Sequence, residues 1–256
     1  MRYWVAPGVA VVATVSAWEV VVTVFRVPEY LLPAPSGVAI ALVEHWRYLA
    51  VHSLVTLGEI LAGFGLAVAV GIPLAMLIVY SPMFERALYP LLVAAQSVPK
   101  IAIAPLLIFW AGLGPFPKVL VAFAISFFPI VIDTVVGFRT VEPEMLYLAR
   151  SMGAGERKIF IKIRFPSAIP SIFAGLKVAV TLAVVGAIVG EFIQADSGLG
   201  YALQQATSVL DTRLGFAVIL VLAVIGVLLF AAVDALERWT TPWAASRRVE
   251  AITATP

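Results

Sequence analysis

The chain has 256 residues, 62% of them hydrophobic and 12% charged, with a formal net charge of +2 and a mean hydropathy of +1.05. A soluble domain is nearer about half apolar and about a quarter charged, so the composition excludes an ordinary soluble enzyme. The pI of 9.0 is no nucleic-acid signal, because the basic residues sit at the edges of apolar runs, and the absence of cysteine excludes disulfides, iron–sulfur clusters and thiol chemistry.

Apolar stretches of about twenty residues recur, each long enough to cross a ~30 Å hydrocarbon core as a helix. Backbone groups in lipid are satisfied within a helix or a closed barrel. Barrel strands alternate polar and apolar over about ten residues, and these runs do not. The chain is therefore expected to be an all-α integral membrane protein with six transmembrane helices, forming one transmembrane domain over 1–256 with its core at about 50–240.

The first span covers about residues 4–25. Arg2 and a small-residue site near Ala17 are features of a signal peptide. The apolar run is long for one and Glu19 interrupts it, which favours an uncleaved helix. A Pro-rich linker follows over 26–35. Ser36 is placed to cap a short amphipathic helix over 37–48, lying at the interface. The second span is expected at 53–80, with Gly58, Gly63, Gly65 and Gly71 suited to close helix approach. These glycines serve either a dimer contact or packing within one subunit.

The third span is placed at 87–111, as one helix with Pro90, Pro99 and Pro105 inside it. A tight GLGPFP turn leads to the fourth, 118–138. After a polar island at 139–166 come the fifth span, 167–192, a polar loop at 194–213, and the sixth span, 214–236. Lysine and arginine counting sets the orientation. With the N-terminus inside, Arg2, Arg86, six residues of the island, Arg238, Arg247 and Arg248 are cytoplasmic, against Arg26, Arg47, Lys118 and Arg213 outside. Eleven against four puts both termini and the island in the cytoplasm.

The island, RTVEPEMLYLARSMGAGERKIFIKIRFP, holds Arg139, Arg150, Arg157, Lys158, Lys162 and Arg164, six of the seventeen basic residues. Pro143 suits a first helical turn, and Glu142 and Glu144 complement the dipole there. Met145, Leu148, Ala149 and Met152 share one helical face. Gly153 suits the left-handed residue that ends a helix. A second helix fits 156–163, with Ile159, Phe160 and Ile163 on one side and Arg157, Lys158 and Lys162 on the other; Pro166 is expected to stop it. The product is a bent knob with an apolar patch ringed by cations. It serves either as a strip on anionic lipid or as a docking surface for a soluble partner.

Ionisable residues inside a bilayer cost about 2.5–3.5 kcal/mol each and face a bundle interior or a cavity. Lys100 lies mid-span, Lys177 about 15 Å into the fifth helix by helix rise, Asp133 in the inner half of the fourth, and Glu59 and Glu191 nearer the outside. One reading pairs Asp133 with Lys100 or Lys177 as a packing device. The other leaves a lysine unpaired to favour an anionic or polar solute, with Lys100 preferred because Pro99 frees backbone groups beside it. Phe109, Trp110, Phe116, Phe123, Phe127 and Phe128 gather near the third and fourth spans, mainly as lipid-facing or packing residues. The outer loop, 196–211, either only connects spans or, with Gly198 and Gly200 permitting a tight turn, carries a short surface helix over 201–207.

Catalytic chemistry is poorly represented. His45 and His52 belong to no metal motif, and no GxxxxGK[ST] pattern occurs. No ATP hydrolysis by this chain alone is expected. An ATP-independent secondary transporter or channel, or a membrane scaffold, remains as an alternative class.

The spacing of Ala149, Gly153, Ile163 and Pro166 resembles the EAA loop of binding-protein-dependent ABC importer permeases, which reads Glu-Ala-Ala, three residues, Gly, nine residues, Ile, one residue, Leu-Pro. Tyr147 and Leu148 depart from it at the opening, and Phe165 replaces the leucine. QSVPKIAIAPLLIFWAGLG, FFPIVIDTVVGFRTVEPE and VGEFIQADSGLGYALQQA are similar, in this order, to the nitrate/sulfonate/taurine branch, with a weaker likeness to thiamine-pyrimidine-precursor or riboflavin permeases. The resemblance covers most of 54–243.

It implies a type I importer-like homodimer in the bacterial cytoplasmic (inner) membrane. Two cytoplasmic ABC ATPase subunits carry the ATP and Mg, and an extracytoplasmic solute-binding protein delivers a small organic anion or heterocycle: a pyrimidine precursor, riboflavin, sulfonate or nitrate. No cofactor is implied in this chain. Coupling to the ATPase is assigned to Ala149, Arg150, Gly153, Ala154, Ile159, Phe160, Ile163 and Pro166. The translocation pathway is assigned to Lys100, Asp133, Lys177 and Glu191. Docking of the binding protein is assigned to Gly198, Gly200 and Tyr201.

Overall fold

Among the residues described, 2–194 and 196–242, every regular element of this computed structural model is helical. Arg247 and Arg248, counted above with the inside cations, lie outside them, as does the side chain of Arg2. The helices are α1 (Arg2–Val24), α2 (Pro35–Glu44), α3 (Trp46–Tyr80), α4 (Pro82–Gln96), α5 (Lys100–Ala111), α6 (Pro115–Arg139), α7 (Pro143–Ser151), α8 (Glu156–Ile159), α9 (Phe165–Ile193), α10 (Leu199–Ser208) and α11 (Thr212–Thr240). A π-helical turn, Phe160–Arg164, joins α8 to α9.

Four of these segments are long and apolar enough to cross a membrane, and α4 with α5 makes five if the bent pair is one span. The first of the six expected spans lies on α1, which is apolar over Gly8–Val24. The third span is not one helix. α4 and α5 meet at 105° across Ser97–Pro99. Pro99 has no N–H to donate and biases Val98 away from the helical region, so the chain turns there and restarts with Pro99 as an extended N-cap.

Two compact units emerge. The first comprises Met1–Leu57 and Gln194–Ile225. In it, α2 begins at Pro35, with Ala34 rather than Ser36 at the cap. Ser36 instead donates its N–H and hydroxyl to the Glu19 carboxylate, at 3.0 and 2.7 Å. That accounts for the charge interrupting α1. Trp18 and Phe216 pack at 5.8 Å between ring centroids, and Arg213 pairs with Glu29.

The second unit comprises Gly58–Ile193 and Gly226–Pro256. α6 packs most extensively against α9, and small residues set the approach. A Cβ on Gly186 would lie 2.6 Å from the Cα of Ala122, and one on Gly63 would lie 2.6 Å from the Ala122 methyl. Gly63 and Gly71 therefore serve packing within this subunit, whereas Gly58 and Gly65 have open space beside them. Ile130, Ala67 and Ala179 form one buried cluster, and Phe138, Ala168 and Ile172 another.

Pro166 does not stop a helix. Residues 156–193 run as one continuous span. A proline inside an α-helix removes a donor and its ring collides with the carbonyl four residues back. Widening the turn eases the collision, and the Phe165 N–H reaches back to the Phe160 carbonyl.

Candidate coupling surface and translocation pathway

The segment 139–166 hinges on Gly153, whose φ of +79° lies in the left-handed region. The Gly153 N–H donates to the Arg150 carbonyl at 2.9 Å and the Ala154 N–H to the Ala149 carbonyl at 3.0 Å. These two bonds make a Schellman termination of α7. Arg150 adds an ion pair to Glu156 across the bend, at 3.0 Å. Arg139 anchors the start, 2.6 Å from Glu85 and stacked over Tyr89.

The two apolar faces of the segment divide. On α7, Met145, Tyr147, Leu148 and Met152 are exposed, Met152 to 78%. Ala149 and Ala154 are half-buried. Ile159, by contrast, is 1% exposed. Phe160 is wedged among Tyr80, Phe138 and Phe165, with centroids 5.2–6.0 Å away. Ile163 and Pro166 are half-buried. The exposed apolar residues of the knob thus lie mainly on α7 and its C-cap Met152, with Ile161 exposed further on. The α8 side turns into the subunit because its helix continues into α9 and meets an aromatic pocket there.

The intramembrane charges sort into pairs that differ from those expected. Lys177 pairs with both Asp234 and Glu237 of α11, and Arg238 reaches Asp234 at 2.7 Å. Lys118, counted above among the outside cations, is buried 2.6 Å from Glu59, with side chains 5% and 4% exposed. Among the described residues no ion pair includes Asp133. Its side chain packs instead against Gly175 of α9. Lys177 is two residues further on, rotated about 200° around the helix, and so faces away from Asp133. The missed signal was Asp234 with Glu237, an i, i+3 pair on one face of an apolar helix. Glu191 is fully buried.

Lys100 stands at the α4–α5 break. It lines a cleft of about 310 Å³ with Val98, Pro99, Ile101, Ile125, Leu182 and Val185. The aromatic set divides as well: Phe109, Trp110 and Phe116 are exposed, whereas Phe123 and Phe127 pack together at 5.3 Å.

In the first unit, α10 begins at Gly198, whose φ is +109°. Gly200 is not part of the turn; it is helical and buried. Tyr201 is half-buried, its ring 5.8 Å from that of His52. His52 and Thr56, unassigned from sequence, hold the start of this helix: Nδ1 of His52 accepts the Gly198 N–H at 2.9 Å and Oγ1 of Thr56 that of Leu199 at 2.7 Å.

The family model described as "Binding-protein-dependent transport system inner membrane component" matches residues 67–242. The chain belongs to that family. It is a multi-pass inner-membrane permease subunit of an ABC-type importer, a transport subunit and not the ATPase. Membership sets aside the secondary transporter, channel and scaffold readings.

Among relatives, this permease is 38% identical to the formylaminopyrimidine transport permease protein ThiX of Halalkalibacterium halodurans, over 88% of this chain and 90% of that one. It is 36% identical to the riboflavin transport system permease protein RibX of Chloroflexus aurantiacus, over 90% and 86%. It is 30% identical to the taurine transport system permease protein TauC of Escherichia coli, over 91% and 87%. Its fold resembles a chain in the inward-facing MetNI methionine ABC transporter, with a TM-score of 0.64, 19% identity, and coverage of 75% of this chain and 95% of that one.

Proposed function

We propose that two copies of this permease form the membrane pathway of an importer, driven by two cytoplasmic ATPase subunits and fed by an extracytoplasmic solute-binding protein. Both termini and residues 139–166 are cytoplasmic in this reading. ATP binding draws the ATPase subunits together, the two α7 segments follow, and the permeases rock between inward- and outward-facing states. Hydrolysis resets them. Lys100, Asp133, Lys177 and Glu191 belong to the pathway or its supporting walls. Gly198, Gly200 and Tyr201 mark the outer docking region.

The observation that carries this reading is α7, a short helix pinned by its Gly153 termination and Arg150–Glu156, with Met145, Tyr147, Leu148 and Met152 facing out. An exposed apolar face on a segment rich in cations suits a groove on a soluble partner. The cargo is a small organic anion or heterocycle. The relatives' named cargoes, a formylaminopyrimidine, riboflavin and taurine, support that class.

The test is Gly153→Val in the reconstituted complex. A side chain in the left-handed region costs roughly 1–2 kcal/mol, and a β-branched one is worse. Membrane insertion should be normal, while uptake and substrate-stimulated ATP hydrolysis fall together. Wild-type uptake by this variant would remove the coupling role.

A further inference from the structure

Lys100 stands where a span breaks and has no carboxylate within ion-pair distance among the described residues. Its ammonium lies 4.7 Å from the centroid of the Phe128 ring and 3.4 Å from the Gln96 carbonyl. A ring face and one long carbonyl contact are weak partners for a cation held among apolar walls. The other intramembrane lysines differ: Lys118 has Glu59, and Lys177 has Asp234 and Glu237. Those two fasten helices. Lys100 leaves its charge available to the cleft.

We propose that the cleft at the α4–α5 break is a solute site for a compact organic anion, with Lys100 neutralising the acidic group and the apolar walls covering a flat or short body. This rests on the importer reading and names the chemistry of its pathway. The walls are Ile101, Ile125, Leu182 and Val185, and the volume is about 310 Å³. That lies at the small end of ligand sites, about 300–1,000 Å³, and suits a one-ring or short-chain solute. Ile101 and Val185 are exposed, so the mouth is open. An anion entering here replaces the weak partners of Lys100 with a direct ion pair. A neutral solute gains only the walls, and a cation is repelled.

The natural chain has no cysteine, so single reporters at Leu182→Cys and Val185→Cys are directly usable. The full chain in phosphatidylcholine vesicles is treated with a negatively charged sulfonatoethyl methanethiosulfonate and, separately, with its trimethylammonium counterpart. A charged cleft with low-dielectric walls raises the on-rate of the opposite charge by about tenfold or more. Each rate taken relative to that reagent's rate with a free thiol, the sulfonate should therefore be favoured over the cation by that factor. The preference should vanish with Lys100→Met and survive with Lys100→Arg. An unchanged ratio in Lys100→Met, or reporters inert to both reagents, overturns the site. A preference abolished by phosphatidylglycerol at these two positions, but unchanged for a reporter thiol elsewhere on the same vesicle surface, shows a lipid headgroup on Lys100 and also overturns it. The assay needs no ATPase subunit, so failure of the importer reading, seen as no ATP-driven uptake, is read separately.

Discussion

His52 Nδ1 accepts the backbone N–H of Gly198 at 2.9 Å, a bond between residues 146 apart in sequence. With Thr56 Oγ1 on Leu199, it supplies from α3 the acceptors that α10 lacks locally, since α10 has no side-chain N-cap bond of its own. The first N–H groups of a helix are left over by its internal ladder, and burial makes such orphans costly.

Thr56→Val keeps the shape and removes the acceptor. By analogy with lost N-caps it should cost about 0.5–2 kcal/mol. Hydrogen exchange should show faster amides at the start of α10 and unchanged protection in α6 and α9. His52→Leu should behave alike. Uniform exchange across the chain in both variants would mean that the cross-chain cap contributes nothing.

Lys177→Met should destabilise strongly. It removes the ammonium shared by Asp234 and Glu237, 18% and 5% exposed, and leaves Asp234 only its more exposed partner Arg238. Breaking a buried ion pair on one side costs about 3–5 kcal/mol. The triple change Lys177→Met, Asp234→Asn, Glu237→Gln should recover much of that. Thermal inactivation in detergent compares the three proteins, and equal half-lives for wild type and Lys177→Met would refute the clamp.

The two faces of the 139–166 segment should respond oppositely. Tyr147→Ser with Leu148→Ser changes exposed residues and should leave thermal stability within about 0.5 kcal/mol. Recovery of the ATPase subunits with the permease should fall. Ile159→Ala empties a buried position and should cost about 2–5 kcal/mol of stability. A pull-down paired with a melting curve separates the outcomes. Loss of stability in the α7 variant, or none in Ile159→Ala, would reverse the assignment of faces.

Helical periodicity and turn chemistry made much of the segment legible. The Gly153 termination, the apolar face of α7 and the cationic side of the following helix depend on neighbours within a turn or two, which sequence order displays. The end at Pro166 was not legible, because a proline reads as a stop. Whether the chain stops or widens into a π turn depends on whether Tyr80 and Phe138 are there to receive Phe160. The break at Pro99 was half legible: the proline was visible, but the 105° bend it permits was not.

Charge partners were the least legible. Lys118 with Glu59 and Lys177 with Asp234 and Glu237 each join residues more than fifty positions apart. Sequence spacing carries no information on which lysine meets which acid once helices pack.

By itself, the sequence determined that this is an all-α membrane protein and carried the spacing of its EAA-like loop. Both follow from apolar run length and from contacts within a few residues. Only the tertiary structure decided which apolar face stays exposed, which glycines let α3, α6 and α9 close together, and which carboxylates Lys118 and Lys177 meet. Those outcomes depend on the rotation of one helix against another, and a single misplaced turn would have exchanged them.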